Sequence, residues 1–403
     1  MKIVNVEPIL LTTYTKWQWG TRPCTYGFVR VTTDNGLVGF GETYVAWYAP
    51  EVIPPYVEHF GNVVVGEDPF QINRLWRMMH VKALRWSPLG VAVTVIGAIE
   101  MALWDILGKS LEVPVYQLLG GLAHNQIRCY TSLAGPDMEA IKKLKDEGYT
   151  AVKVAHTGQM TQEGHLSIAA LVNQESTKAA NIRQALGNDV DMILDPAIQF
   201  NRAPWSADMS LKVVQALEPY NLLWMEQPAL PTNVDDYARI RALTSTPIAA
   251  GEMGTTLHDY KPFFEKRAID IVQPDASWCG GISECAKIHA AAAAHDMRVA
   301  PHSFSGAVGL AANYHVAFSS RNCFMLKYPT QENTLARGLI GHAFKFKDGH
   351  VQPTGVPGLG INLNQELINK FPFVPNSGIA HSRAPFPRPT PNWTPKYQDT
   401  VSW

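Results

Sequence analysis

LLWMEQPALPTNVDDYARIRALTSTPIAAGE, residues 222–252, holds two short apolar runs, LLWME and PIAAGE, each closing on a glutamate and separated by a longer polar stretch. A short apolar run bounded by turn residues reads as a strand buried on both faces. The same unit repeats in both directions along the chain. Upstream lie IRCYTS (127–132), TAVKVA (150–155) and MILD (192–195); downstream lie DIVQPD (270–275), RVAPH (298–302) and FMLKY (324–328). The connecting stretches, such as MEAIKKLKDEG and SLKVVQALEPY, repeat apolar residues at intervals of three and four and end on Gly or Pro, as amphipathic helices do. Eight parallel strands with intervening helices close most simply into a barrel. The alternative is an open doubly wound sheet, but no GxGxxG follows the first strand to support dinucleotide binding there.

The flanks differ from this middle. In residues 1–125, FVRVTT and LVGFGET surround Asp34-Asn35-Gly36, a hairpin turn signal, and helical segments follow, so this part reads as a separate α+β domain. Residues 336–403 lack the strand-helix alternation and finish in a Pro-rich stretch, RAPFPRPTPNWTPKYQDTVSW, expected to be an extended surface tail. The 403 residues, 46% of them hydrophobic, suffice for a large core without disulfides. A formal net charge of -1 offers no basic excess for nucleic-acid phosphates. Cys24, Cys129, Cys279, Cys285 and Cys323 are odd in number and contain no CxxC pair, which argues against a disulfide framework and fits a reducing cytoplasm. Glu7 and Pro8 break the N-terminal apolar run, making it a poor signal peptide. No uninterrupted apolar run approaches the ~20 residues of a membrane span, so neither membrane nor nucleic acid is expected as a partner.

Four consecutive runs end, or nearly end, on an acid: Asp195, Glu226, Glu252 and Asp275. In a parallel barrel the C-terminal strand ends open onto one face, so these carboxylates would converge from distant sequence positions. Side by side they cannot all stay ionised without a cation or a shared proton, and Mg2+ is the hard oxygen-loving ion suited to them. His302 ends the next run, beside Asp275 around the mouth. A carboxylate partner would fix its tautomer and raise its proton affinity, making it a general base near neutral pH. On the second strand Lys153 and Ala155 turn to the same side, which places a cation near the acids, suited to stabilising an oxyanion. His156 faces the other way unless the strand has already ended.

These residues resemble the enolase superfamily and, within it, the mandelate racemase subgroup. EMALWDILGK with PVYQLLGG is similar to the end of that family's capping domain, and PGLGINLN (357–364) to its C-terminal return segment. The resemblance implies a (β/α)7β modified TIM barrel over residues 126–335, an N-terminal α+β capping domain, and a segment from 336 that returns to the cap. It implies Asp195 in MILDP, Glu226 in WMEQP and Glu252 in AAGEMG as Mg2+ ligands, and Asp275 with His302 as the family's dyad. Lys153 matches the first lysine of a KxK motif; Ala155 stands in place of the second. That gap, with EPYNLLWMEQ and DIVQPDASWCGG, is similar to the acid-sugar dehydratases of the L-rhamnonate type, in which the histidine is the principal base. Lys327 stands where many relatives carry a glutamate beside the substrate carboxylate, and Pro196-Ala197 replace a common Ala-Asn. The implied reaction is removal of the α-proton of an aldonate-type acid and loss of its β-hydroxyl to give a 2-keto-3-deoxy acid. A racemase, epimerase or cycloisomerase shares the first step, and a silent barrel that only binds the sugar acid is the rival outside catalysis. Lys16, Trp17, Gln18, Trp19 and Arg22 in TKWQWGTR form a polar and aromatic stretch able to close over a hydroxylated chain, and Trp19, Arg22, His156 and Lys327 are the expected substrate contacts. Relatives of this kind are commonly homo-oligomers.

Overall fold

The computed structural model describes the chain except residues 18–19, 134, 136, 156–166, 197, 199–204, 330–332 and 379–403, and of residues 16, 17 and 20–22 it describes the backbone alone. The Pro-rich tail, Trp19 and His156 therefore lie outside the described residues, as does the Arg22 side chain. The N-terminal part opens with strands β1 (Ile3–Trp17), β2 (Gly20–Thr33) and β3 (Val38–Thr43), paired antiparallel in that order. The turn between β2 and β3 falls at Asp34-Asn35-Gly36, where Gly36 takes φ +84°, a conformation that favours glycine. Helices α1 (Ile53–Val64), α2 (Ile72–Ala83), α3 (Val91–Ser110) and the one-turn α4 (Val115–Leu118) follow. Val29, Val31, Phe60, Leu75, Ile96 and Leu103 share one core between sheet and helices. β3 lies so close to α3 that a Cβ on Gly41 would come within 1.7 Å of the Ala98 carbonyl oxygen.

α3 corrects one expectation. Its 20 residues are long and apolar enough to cross a membrane by length and composition, although Glu100, Asp105 and Lys109 interrupt the run. It is instead the core helix of the N-terminal part, with 83% of its most apolar window buried.

The middle of the chain closes into a ring of eight parallel strands: β4 (Ile127–Leu133), β5 (Ala151–Ala155), β6 (Asp191–Asp195), β7 (Leu222–Glu226), β8 (Ile248–Ala250), β9 (Ile271–Val272), β10 (Arg298–Val299) and β11 (Leu326–Lys327). β4 to β10 pair in sequence order, β11 pairs with β4, and a bridge from Val299 to Cys323 completes the circle. Between the strands run α5 (Met138–Asp146), α6 (Ile168–Leu186), α7 (Ala207–Leu217), α8 (Val234–Ala242), α9 (Thr256–Glu265), the one-turn α10 (Ala276–Cys279) with α11 (Ile282–Ala294), and α12 (Ala307–Ser319). The last strands are shorter than their apolar runs. Pro274 and Pro301 have no N–H to donate to a ladder, so DIVQPD and RVAPH leave the sheet before their final residues.

Inside the ring, Tyr130, Ala151, Ile193, Trp224, Ala249, Ile271, Ala300 and Met325 form a separate apolar plug, one residue from each strand or its flank. Because side chains alternate along a strand, the position two residues on faces the same interior. That next layer reads Ser132, Lys153, Asp195, Glu226, Gly251, Gln273, His302 and Lys327. A polar floor thus sits on a dry base at the C-terminal ends of the strands.

The chain returns to the cap only after an additional hairpin, β12 (Phe344–Lys347) and β13 (His350–Pro353), whose second strand pairs antiparallel with the start of β4. Residues beyond it reach the N-terminal part: Gly358 bonds with the backbone of Val113 and Val115, and Leu359 N donates to Asp105 at 2.8 Å.

Candidate active site

Lys153 occupies the centre of the acidic arc. Only 3% exposed, its ammonium donates to Asp195 Oδ2 at 3.0 Å and to Glu226 Oε1. The second Glu226 oxygen accepts from Trp224 Nε1 at 3.1 Å and Gln273 Nε2 at 2.9 Å. Burial works against both ionised groups. For Glu226, burial raises the carboxyl, but the Lys153 charge and these hydrogen bonds outweigh it and hold it at about 2. For Lys153, burial lowers the ammonium, and the charges of Asp195 and Glu226 lift it well above its ordinary value. Glu252 reaches the mouth differently. β8 ends at Ala250 and Gly251 takes φ +120°, so the glutamate swings in one residue later than strand alternation would place it. Burial and the neighbouring Glu226 charge raise its carboxyl against the opposing pull of His302.

His302 lies between two carboxylates. Its Nδ1 bonds Asp275 Oδ2 at 2.8 Å and its Nε2 stands 3.4 Å from Glu252 Oε2. Asp275 is fully buried at the N-terminus of α10, where it also accepts from Ser277 N at 2.9 Å, Ser277 Oγ at 2.7 Å and Asn313 Nδ2 at 3.0 Å. Burial would raise this carboxyl, but His302, Ser277 and Asn313 lower it overall, so it remains an acceptor. An ionised Asp275 accepts a hydrogen bond from the Nδ1–H of the imidazole, which keeps the proton on Nδ1 and leaves Nε2 as the basic atom. Asn313 ties the pair to α12, since its amide also donates to the His302 carbonyl at 3.3 Å and to Ser303 Oγ at 3.1 Å.

The structure thus brings together Lys153, Asp195, Glu226, Glu252, Asp275 and His302. Among the described residues, however, no three Asp, Glu, His or Cys side chains are drawn into a ready-made metal shell, because the Lys153 ammonium fills the gap between Asp195 and Glu226. The donor chemistry still suits a hard divalent cation: Asp195 and Glu226 share one ammonium, and Glu252 joins them at the mouth with its carboxyl raised by burial and by the Glu226 charge. Lys327 makes no ion pair with the acids among the described residues, although the charges of Glu226, Glu252 and Asp195 act on it. It is buried and lies 4.6 Å from the centre of the Phe304 ring.

Several contributors escaped the sequence reading. Gln273 and Trp224 sit inside strand runs where they look like core. Tyr44 comes from the cap, its ring 5.6 Å from His302 and 6.1 Å from Phe304, while Trp47 meets Phe304 edge-on at 4.5 Å. Glu42, also from the cap, is fully enclosed and accepts from the amides of Gly306 and Gly309 at the start of α12. The available signal was the polar Glu42-Thr43-Tyr44 step directly after the close-packed GFG of β3.

The chain is similar to known proteins over both of its parts. The model of the mandelate racemase / muconate lactonizing enzyme N-terminal domain matches residues 8–120, and that of the enolase C-terminal domain-like family matches residues 137–367. A D-galactonate dehydratase of Pectobacterium atrosepticum is 34% identical over 357 residues, covering 86% of this chain and 91% of the relative. Among solved structures, the 3,6-anhydro-D-galactonate cycloisomerase of Zobellia galactanivorans is 26% identical with a TM-score of 0.81, covering 92% of this chain and 99% of that one. A mandelate racemase/muconate lactonizing enzyme from Sulfitobacter is 29% identical with a TM-score of 0.83, covering 93% and 96%. With both halves matched and a curated relative aligned over most of its length, the chain belongs to the mandelate racemase/muconate lactonizing enzyme family of the enolase superfamily.

Proposed function

We propose that this chain is a Mg2+-dependent dehydratase of an aldonate-type acid sugar, with His302 as the base. The observation that carries the reading is the His302 imidazole: anchored by a buried Asp275, it directs its Nε2 into the acidic mouth, 3.4 Å from Glu252 Oε2. The chain is a hydro-lyase, in keeping with relatives named D-galactonate dehydratase at 33–34% identity. Asp195, Glu226 and Glu252 would hold Mg2+, which when bound polarises the substrate carboxylate and makes the α-proton more acidic. His302 Nε2 removes that proton, and Asp275 stabilises the imidazolium. The buried Lys153 ammonium supplies fixed positive charge toward the developing ene-diolate. The β-hydroxyl departs with a proton and the enol product tautomerises to the 2-keto-3-deoxy acid. Tyr44 from the cap packs on His302 and Trp47 on the nearby Phe304, and together they limit water at the reacting carbon.

Ala155 offers no second base on the opposite strand, so proton removal occurs from one face. NMR in D2O with an acid-sugar panel tests this by following the α-proton signal and the keto acid together. His302→Asn should abolish both α-exchange and product, and Asp275→Asn should impair both less completely. Exchange near the wild-type rate in the His302 variant would remove the assignment. The cycloisomerase likeness favours one alternative fate of the same intermediate; an isomer formed without loss of water would establish it.

A further inference from the structure

Lys327 is a buried cation with no direct ion-pair partner among the described residues. It is 6% exposed, and among the described residues it makes no ion pair; its recorded neighbour is the Phe304 ring. Leaving a charge so enclosed is costly unless something compensates it. Burial and the Lys153 charge lower its ammonium to about 8, against the longer-range pull of Glu226, Glu252 and Asp195.

The charge faces a cavity beside the reacting centre. Thr131 and Ser132 at the end of β4, Lys327 on β11 with Tyr328 just after it, Ser303 after β10 and Tyr26 from the cap line it, together with others. Asp195, Glu226, Glu252, Asp275, His302 and Lys153 do not line it. Ser132 neighbours Lys327 in the polar layer, and among the described residues its buried Oγ has no hydrogen-bond partner. The cavity therefore combines an ammonium that the acids offset only in part with a hydroxyl unpartnered among the described residues, beside the segment that follows His302 but outside the acidic arc. A sugar hydroxyl entering there would leave the charge unanswered. A carboxylate answers both, accepting from Nζ and Oγ together.

We propose that this cavity holds a second carboxylate, at the end of the substrate remote from the reacting one, so that the preferred acid sugar is an aldarate and Lys327 is the residue that selects it. The proposal rests on the acid-sugar reading above and narrows the aldonate-type substrate to its diacid counterpart. The first carboxylate belongs with the acidic arc and its cation, where the α-carbon can face His302. The second lies across the mouth, between β4 and β11.

The test pairs a six-carbon aldonate with the aldarate of identical configuration, using the Mg2+-loaded enzyme, wild type against Lys327→Met and Lys327→Arg. Turnover gives kcat/KM, and calorimetry gives binding whether or not turnover occurs. The wild type should prefer the aldarate by ~30-fold or more, the scale of one desolvated charge pair. Lys327→Met should collapse that preference through KM rather than kcat, and Lys327→Arg should restore most of it. A wild type that treats the two acids alike, or a Lys327→Met variant that loses both equally, overturns the proposal and returns Lys327 to the reacting carboxylate. Lys327-dependent aldarate binding without dehydration would uphold the cavity assignment and remove the dehydratase reading. Dehydration without Lys327 dependence does the reverse.

Discussion

Lys153 carries a buried positive charge that burial alone would drive off, and two carboxylates keep it protonated. A side chain held in this way is preorganised, and its charge does not need to be moved into place when negative charge develops on the substrate. Replacing it with methionine keeps most of the volume and removes the charge. Lys153→Met should therefore lower kcat by ~100-fold or more while shifting substrate affinity less. Steady-state kinetics on the best acid sugar checks this, and a change of under about threefold would reduce Lys153 to a structural counter-ion for Asp195 and Glu226. Residues of this kind were legible because each interrupts an apolar run at its end. Gln273 was not, since one amide within DIVQPD carries no sequence signal until the interior layer aligns it with Glu226. Tyr44 was hidden for another reason: its partner His302 lies far along the chain on a different element.

At the scale of elements, strand alternation turns local sequence into a layered site: an apolar plug, and two residues later the polar floor. Prolines cut β9 and β10 short, which is why the apolar runs overstated their strands while still locating Asp275 and His302. The joint between cap and barrel was not legible. It relies on cap carboxylates placed at barrel helix N-termini, with Glu42 at α12 and Glu100 at α11, where the Ile282 and Ser283 amides donate at 2.8 Å. Burial raises Glu42 to about 8 and Glu100 to about 7 in spite of those donors. An acid whose folded pKa lies above its ordinary 4.5 makes the folded state bind the proton more tightly. Its contribution is fully present below about 4.5 and is lost as pH rises through the folded value, here toward 8 for Glu42. Glu42→Gln cannot titrate and leaves one amide facing an NH2 group, so it should be less stable than wild type in acid, by about 1–3 kcal/mol. The gap should then narrow between pH 5 and 9. Urea unfolding at several pH values measures it, and a gap that widened with pH would mean that Glu42 is ionised throughout.

Across the whole molecule, the acidic arc is assembled from strands separated by long stretches of chain, so anything that binds it stabilises the closed ring rather than one segment. Sequence reading reached this level because ring closure follows from counting strand-helix units. It did not reach the hairpin that extends the sheet beside β4, whose pairing depends on where residues 344–353 dock rather than on their own periodicity. If Asp195, Glu226 and Glu252 hold Mg2+, binding must appear as stability of the intact barrel, since the unfolded chain offers no such arrangement. At a hundredfold excess over Kd the gain is about 2.7 kcal/mol, so the Tm of chelator-treated protein should rise as Mg2+ is added back. Glu226→Gln removes one charged donor and disturbs the hydrogen bonds from Lys153, Trp224 and Gln273. It should melt lower without metal and gain less from Mg2+ at every concentration. Calorimetric scans with and without chelator separate the two effects: a lower baseline alone reports the lost hydrogen bonds, and a smaller Mg2+-dependent rise reports the lost ligand. A rise equal to that of wild type would show that Glu226 supports the site through Lys153 and takes no direct part in holding the ion.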